Sequence, residues 1–284
     1  MSHAAEVESG KRFEFGKNWS RFLSVLNDER IAEAELSLAK MLGIKTLEGK
    51  TFLDIGSGSG LFSLAARRLG ATVHSFDFDP SSVACTTELR RRYFTDDSRW
   101  IVQEGSVLDE AFMRSLGTFD VVYSWGVLHH TGSMWQALTN ATLPTKLGGT
   151  LFIAIYNEQG RRTRRATRIK KAYVAAPKAG KFLIASAYIG AWATRQLAID
   201  VVRVQNPTAV YRGYKKSRGM SLWYDLIDWI GGYPFETAKP EEIFEFFRER
   251  GFDLSNLVTC GGGHGCNEYV FVKSRTPDQS LTSR

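Results

Sequence analysis

The chain reads as an α/β protein built on a doubly wound sheet, and three observations predict it. The first is TFLDIGSGSG, Thr51 to Gly60: a short buried strand, Thr51–Ile55, runs into a glycine-rich turn and then a helix over 61–69 that Gly70 closes. The second is ATVHSFD, residues 71–77, an alternating strand that ends in an acid about 20 residues beyond the glycine turn. The third is the return of short strands at WIVQEG (100–105), FDVVYSW (119–125) and GTLFIAIYN (149–157).

The turn itself carries Gly56, Ser57, Gly58 and Gly60. Three glycines leave it without side-chain bulk, so backbone can approach a ligand and the helix can start at the edge of the strand. The dinucleotide fingerprint spaces its glycines as G-x-G-x-x-G, and Leu61 stands where its third glycine belongs. Asp54, the last polar residue before the turn, repels a pyrophosphate at close range and suits a cationic ligand.

The D-x-G-x-G-x-G pattern of Asp54, Gly56, Gly58 and Gly60 resembles motif I of the class I S-adenosylmethionine-dependent methyltransferases. The resemblance implies a seven-stranded sheet whose sixth strand is parallel and whose last is antiparallel. It also implies S-adenosyl-L-methionine as cofactor, with the turn around its amino-acid end, where an ammonium and a sulfonium meet Asp54. The D-x-x-P ending of Asp77, Phe78, Asp79 and Pro80 is similar to the family's second strand end; it assigns Asp77 to the ribose hydroxyls, Phe78 to the adenine face and Asp79 to capping the next helix. After the third strand the family holds adenine through backbone amides or an acid. Here Ser106 and Val107 occupy that place, and serine leaves the backbone contact.

Before the sheet, residues 13–43 open with FEFGKNWSRFL and continue as an amphipathic helix with Leu36, Leu38, Ala39 and Leu42 among polar residues. In the family a leading helix covers the cofactor, which assigns Lys17 and Trp19 that role. After the fourth strand comes GVLHHTGSMWQAL, whose V-L-H-H resembles the quinone-biosynthesis and other small-molecule methyltransferases. Strand ends on the carboxyl side line the ligand crevice, so Ser124, Trp125, His129 and His130 fall near the transferable methyl. The segment lacks the [D/N]-P-P-[Y/F/W] of enzymes that methylate amino groups of nucleic-acid bases and the cysteine of cytosine-C5 enzymes. For an oxygen nucleophile His130 is the first candidate general base and His129 the second, with Tyr156 and His264 as alternatives.

The division expected is an N-terminal helical cap (1–46), a catalytic core (47–157 and 239–275), a mainly helical insertion (158–238) and a tail (276–284). The insertion opens with RRTRRATRIKK and continues with apolar KFLIASAYIGAW, a pattern suited to an anionic membrane surface, with RNA contact ranked behind it. SLWYDLIDWIGGYPFE offers Tyr224, Asp225, Asp228 and Trp229 as a pocket wall or as core. A helix with proline in its first turn (240–250) leads to a closing hairpin, 252–259 and 268–273, joined by CGGGHGCN. Cys260, His264 and Cys266 lack paired C-x-x-C spacing, so no metal is expected.

With 284 residues, 43% of them hydrophobic, and a net charge of +7, the chain can bury a substantial core and favours anionic surroundings. The start MSHAAEVESGKR has no export pattern, no run reaches the roughly 18 apolar residues of a spanning helix, and three scattered cysteines form no disulfide framework. The expectation is a cytoplasmic or membrane-peripheral methyltransferase acting on a small-molecule or lipid-like acceptor. An RNA methyltransferase that docks through the basic insertion and a non-catalytic cofactor-binding module are the alternatives.

Overall fold

A computed structural model describes residues 3–13, 16–202, 222–261 and 265–275. Contacts divide the chain into two compact units, one of residues Met1–Glu14 and Arg164–Pro234, the other of Phe15–Thr163 and Phe235–Arg284.

The larger unit holds a seven-stranded sheet in the order β3-β2-β1-β4-β5-β7-β6. Its strands are β1 (Thr51–Ile55), β2 (Thr72–Asp77), β3 (Trp100–Glu104), β4 (Phe119–Trp125), β5 (Thr145–Tyr156), β6 (Phe252–Val258) and β7 (Cys266–Lys273). β1 to β5 pair in parallel, and β7 runs antiparallel to both of its neighbours, β5 and β6. The strand order reverses between β1 and β4, so their carboxyl ends open the crevice where ligands of such sheets bind. Strand alternation fills both faces. Leu53, Ile55, Val122 and Ile153 face one core cluster, and Phe52, Tyr123, Phe152 and Val270 face the other.

Two differences from the sequence reading have local causes. Residues 13–43 do not form one helix: α2 (Gly16–Val25) and α3 (Asp28–Leu42) break at Asn27, whose extended backbone and side chain accepting from the Arg30 N–H at 3.0 Å start a new helix. β5 begins at Thr145, before the glycines, because Thr145 pairs with Phe119 ahead of a register shift in β4. A short α1 (His3–Glu8) precedes these helices, and α4 (Leu61–Arg68), α5 (Pro80–Tyr93), α6 (Glu110–Ser115) and α7 (Met134–Thr142) connect the strands.

The smaller unit contains α1, most of α8 (Arg161–Ala175), α9 (Lys178–Val202) and α10 (Leu222–Gly231). α8 buries Thr163, Ala166, Lys170, Tyr173 and Val174, one stripe at helical spacing, and exposes Arg161, Arg162, Arg164, Arg165, Arg168 and Lys171. Tyr173, Val174, Ala185 and Ile230 form this unit's core, with Trp229 packed on it. Trp229 stacks on Tyr188 at 5.0 Å between ring centroids and carries the Lys170 ammonium 4.4 Å from its ring, so it belongs to the core of the insertion. The side chains of Lys17, Tyr224, Asp225 and Asp228, and all of His264, lie outside the described residues. In the larger unit α11 (Pro240–Glu249) packs against β6.

Candidate active site

At the carboxyl end of β1 the glycine turn holds Gly56, Gly58 and Gly60 at φ of 75°, 54° and 80°, a region that side chains with a Cβ disfavour. The bulk these glycines exclude belongs to the protein itself. A Cβ at Gly56 would lie 2.4 Å from Val127 Cγ1, one at Gly58 3.1 Å from the Trp19 indole, and one at Gly60 2.9 Å from Thr86 Cα. The amides are likewise engaged: Gly56 and Ser57 donate to the Phe76 carbonyl, Gly60 to Ser57, and Gly58 to the Asp77 carboxylate. A phosphate cradle needs free N–H groups pointing outward. This turn instead presents acids.

Asp54 is 2% exposed and accepts from Ser63 at 2.5 Å; Ser63 in turn meets Ser75 at 2.7 Å, and Ser75 accepts from the buried Trp100 indole at 2.9 Å. Burial pushes the Asp54 carboxyl up to about 7; the charge of Asp77 adds to this and the Ser63 hydroxyl opposes it. Asp77, at the end of β2, accepts from the N–H of Gly58 and of Asp79, both at 2.9 Å. Burial pushes it up to about 6 against the pull of those two amides, with the charge of Asp79 adding to the rise. Asp79 caps α5 through the Ser81 N–H and also accepts from Gly16, both at 2.9 Å, which fixes the start of α2. α2 in turn lays Trp19 on Gly58.

A group whose folded pKa is raised favours folding below its unfolded value and loses that contribution as pH climbs through the folded one. Asp54 moves from 3.8 to about 7, so its contribution fades across that window. The Asp54→Asn variant keeps an acceptor for Ser63 and removes the ionisation. Its melting temperature without ligand should fall less than wild type's between about pH 5 and about pH 7.5; parallel curves would contradict the assignment.

At the end of β4, Ser124 is buried and donates to the Ile55 carbonyl at 3.0 Å, stitching β4 to β1, while Trp125 is 45% exposed. Successive residues of a strand face opposite ways, so these two candidates do not share a surface. Trp125, Ala154 and Glu268 stand in register across β4, β5 and β7, and the small Ala154 lets the Trp125 indole donate to Glu268 at 3.0 Å. Below them the Tyr123 hydroxyl is buried without a hydrogen-bond partner among the described residues, and burial, Asp54 and Glu268 raise its pKa.

Beyond β4 a 3₁₀ turn, Leu128–His130, brings the two histidines to the end of β5. His129 is fully buried; its ring lies 4.5 Å from those of His130 and Tyr156. Tyr156 also packs on Phe235 at 5.0 Å, and His130 lies 5.8 Å from Tyr156 and 6.4 Å from Phe235. The strap after Phe235 is fastened on both sides. Glu236 donates its N–H to the His129 carbonyl and its carboxylate accepts from the Met134 N–H, while Ala238 donates to the Tyr156 carbonyl. His130, His129 and Tyr156 thus form one cluster, which Phe235 completes.

Beyond β3, the Ser106 hydroxyl accepts from Leu108 at 3.2 Å and the Val107 carbonyl accepts from Asn140 at 2.8 Å. Phe78 is half-buried beside Asp77. Sequence reasoning missed Glu268, Ser63 and Phe235. Only Ser63 carried a local signal, since it sits on the helix that the turn opens, one turn above Asp54.

A methyltransferase-domain model matches residues 53–151. A ribosomal protein L11 methyltransferase of Anoxybacillus flavithermus is 36% identical over 91 residues, 27% of this chain and 29% of that protein. A ubiquinone biosynthesis O-methyltransferase of Rhizobium johnstonii is 32% identical over 114 residues, 40% of this chain. The chain spans 29% and 44% of the lengths of these two relatives. The crystal structure of magnesium protoporphyrin IX methyltransferase from Synechocystis PCC 6803, with bound SAH, shares the fold at a TM-score of 0.53, with 13% identity over 91% of this chain and 95% of that one. With the reversed strand order between β1 and β4 and an antiparallel β7, the chain has the class I methyltransferase fold, and its residues 53–151, which include the acid-bearing glycine turn, match a methyltransferase domain.

Proposed function

We propose that the chain transfers the methyl group of S-adenosylmethionine to a small-molecule acceptor held against His130, Tyr156 and Phe235. The observation that carries this reading is that the aromatic cluster, at the ends of β4 and β5, and two buried acids, on β1 and β2, belong to the carboxyl side of one parallel sheet. Asp54 and Asp77 are both pushed above the ordinary carboxylate range, and Asp77 raises Asp54 further. A ligand bearing an ammonium and a sulfonium relieves such a pair, and Asp77 suits the ribose hydroxyls. The cofactor supplies a methyl on a positively charged sulfur. The protein's task is then to align the acceptor, exclude water and take a proton where the nucleophile carries one.

His130 is the general base of this reading. Its imidazole is half-buried at the cluster, whereas the fully buried His129 packs between His130 and Tyr156 and orients them. Replacing His130 by glutamine should lower kcat by about 10²- to 10⁴-fold for an oxygen acceptor, the usual range for a lost general base. Cofactor affinity measured by titration calorimetry should stay unchanged. Equal kcat in both proteins would remove His130 from the chemistry.

The smaller unit favours a lipid-like acceptor at an anionic membrane surface. No described helix is long and apolar enough to cross a membrane. On α9, Phe182 and Leu183 are 66% and 67% exposed and follow Lys178 and Lys181, and Arg164, Arg165, Arg168 and Lys171 of α8 are exposed in the same unit. Exposed apolar side chains among cations are what an interfacial helix presents to anionic headgroups. The protein should float with phosphatidylglycerol vesicles, and a variant with Arg161, Arg162, Arg164 and Arg165 changed to glutamine should not. Binding to RNA in place of vesicles, with a steep salt dependence, would favour the nucleic-acid alternative.

A further inference from the structure

Toward the carboxyl end of the sheet, Trp125 of β4, Ala154 of β5, Glu268 of β7 and Val258 of β6 stand in register and point to one face. Trp125 is 45% and Val258 49% exposed, and the half-buried Glu268 stands between them in the row, its Oε1 accepting from the Trp125 indole at 3.0 Å. That hydrogen bond holds the carboxylate in place and brings it no positive charge. Among the described residues no lysine, arginine or histidine forms an ion pair with Glu268. Two residues before Trp125, the buried Tyr123 hydroxyl has no hydrogen-bond partner, and its ionisation is opposed first by burial and then by the charges of Asp54 and Glu268. The Glu268 charge is felt inside the face and is not cancelled at its surface.

Tyr156 follows Ala154 by two residues on β5, so it points to the same face about 7 Å further along the strand. The Trp125 and Glu268 pair is therefore one pleat from the residue on which the acceptor cluster is built. We propose that Glu268 and the exposed indole of Trp125 bind a protonated amine carried by the methyl acceptor, and so select an amphipathic amine over neutral or anionic acceptors. The inference deepens the methyl-transfer reading of this sheet edge and rests on it for the ligand being the acceptor.

The chemistry of the pair is selective. An ammonium gains a charged hydrogen bond from the carboxylate and the π-face of the indole, the best aromatic partner for a cation. A phosphate or carboxylate is repelled by Glu268 at the same distance. An alcohol can donate to the carboxylate but leaves its charge unmatched. Trp125 and Val258 keep apolar surface on both sides of the carboxylate, which suits a hydrocarbon or ring next to the amine.

The test is a titration of the whole chain, saturated with S-adenosylhomocysteine, with hexylammonium chloride and in parallel with hexanol, followed through the tryptophan indole N–H resonances. The chain has seven tryptophans, and the Trp125 resonance is the one that Trp125→Phe removes. Hexylammonium should shift it saturably and hexanol should bind about tenfold more weakly, the scale that separates a charged hydrogen bond from a neutral one. Glu268→Gln keeps an oxygen for the indole N–H and removes the charge, so it should bring the hexylammonium Kd to that of hexanol while the resonance persists. Equal affinities for the two probes, hexylammonium binding that survives Glu268→Gln, no saturable shift, or release of S-adenosylhomocysteine by the amine would overturn the proposal. A chain that does not bind S-adenosylhomocysteine would count against the cofactor reading instead, and the same titration of the unliganded chain would still decide on Glu268 and Trp125.

Discussion

Asp77→Ala should weaken S-adenosylmethionine binding by about 1–3 kcal/mol, roughly 5- to 150-fold in Kd, the loss associated with hydrogen bonds to a charged acceptor. The carboxylate sits at the end of β2, the place we propose for the ribose of a nucleotide crossing the sheet edge. It also accepts from Gly58 and Asp79, so the substitution releases two amides that hold the glycine turn in place. These effects can be told apart. Alanine removes a carboxyl that burial has pushed up to about 6, so deleting it relieves an ionisation cost in the unliganded protein even as the two amides lose their acceptor. The opposing changes should leave the melting temperature without ligand close to wild type, while the calorimetric Kd rises. An unchanged Kd would take Asp77 out of the cofactor site.

The second large effect is expected at Gly56. A valine there must adopt φ of 75° and place its Cβ 2.4 Å from Val127 Cγ1. The left-handed backbone costs about 1–2 kcal/mol for a residue with a side chain, and overpacking a filled site costs about 1–3 kcal/mol more. The sum is a large share of the roughly 5–15 kcal/mol by which domains are stable. Gly56→Val should therefore lower the denaturation midpoint steeply. Adding Val127→Ala, which removes the offending methyls, should restore the packing part and leave the backbone part. Lack of any rescue would mean that Val127 is not what fills the space. Gly58→Val is the milder change, since its neighbour is the Trp19 indole at 3.1 Å, carried on a separate helix that can shift.

How far the sequence could be read follows from how local each constraint is. The turn and its acids were legible because a strand, three glycines and a strand-terminal acid lie within a short stretch and follow backbone rules. The purpose of the glycines was only half legible: Val127 and Thr86, whose bulk they accommodate, come from other elements. The break at Asn27 had a local cause, a side-chain cap, that the apolar periodicity of the helix hid. Trp125 was legible as a strand end, but its partner Glu268 lies 143 residues away and meets it only through the register of β5. Phe235 is similarly invisible, since it reaches Tyr156 through a strap whose hydrogen bonds run to β5 and to the 3₁₀ turn. Ser124 shows the converse limit: its strand was right, and alternation put its hydroxyl on the Ile55 carbonyl.

The central claim is that a sulfonium nucleotide lies across the carboxyl ends of β1, β2 and β4, its opposite ends answered by Asp54 and Asp77. A crystal structure with S-adenosylhomocysteine tests it most directly. Both ribose hydroxyls should lie within hydrogen-bond distance of Asp77, the amino group on the Asp54 side of the glycine turn, and the sulfur should turn toward His130 and Tyr156. Density elsewhere, or a ribose that contacts neither acid, would contradict it.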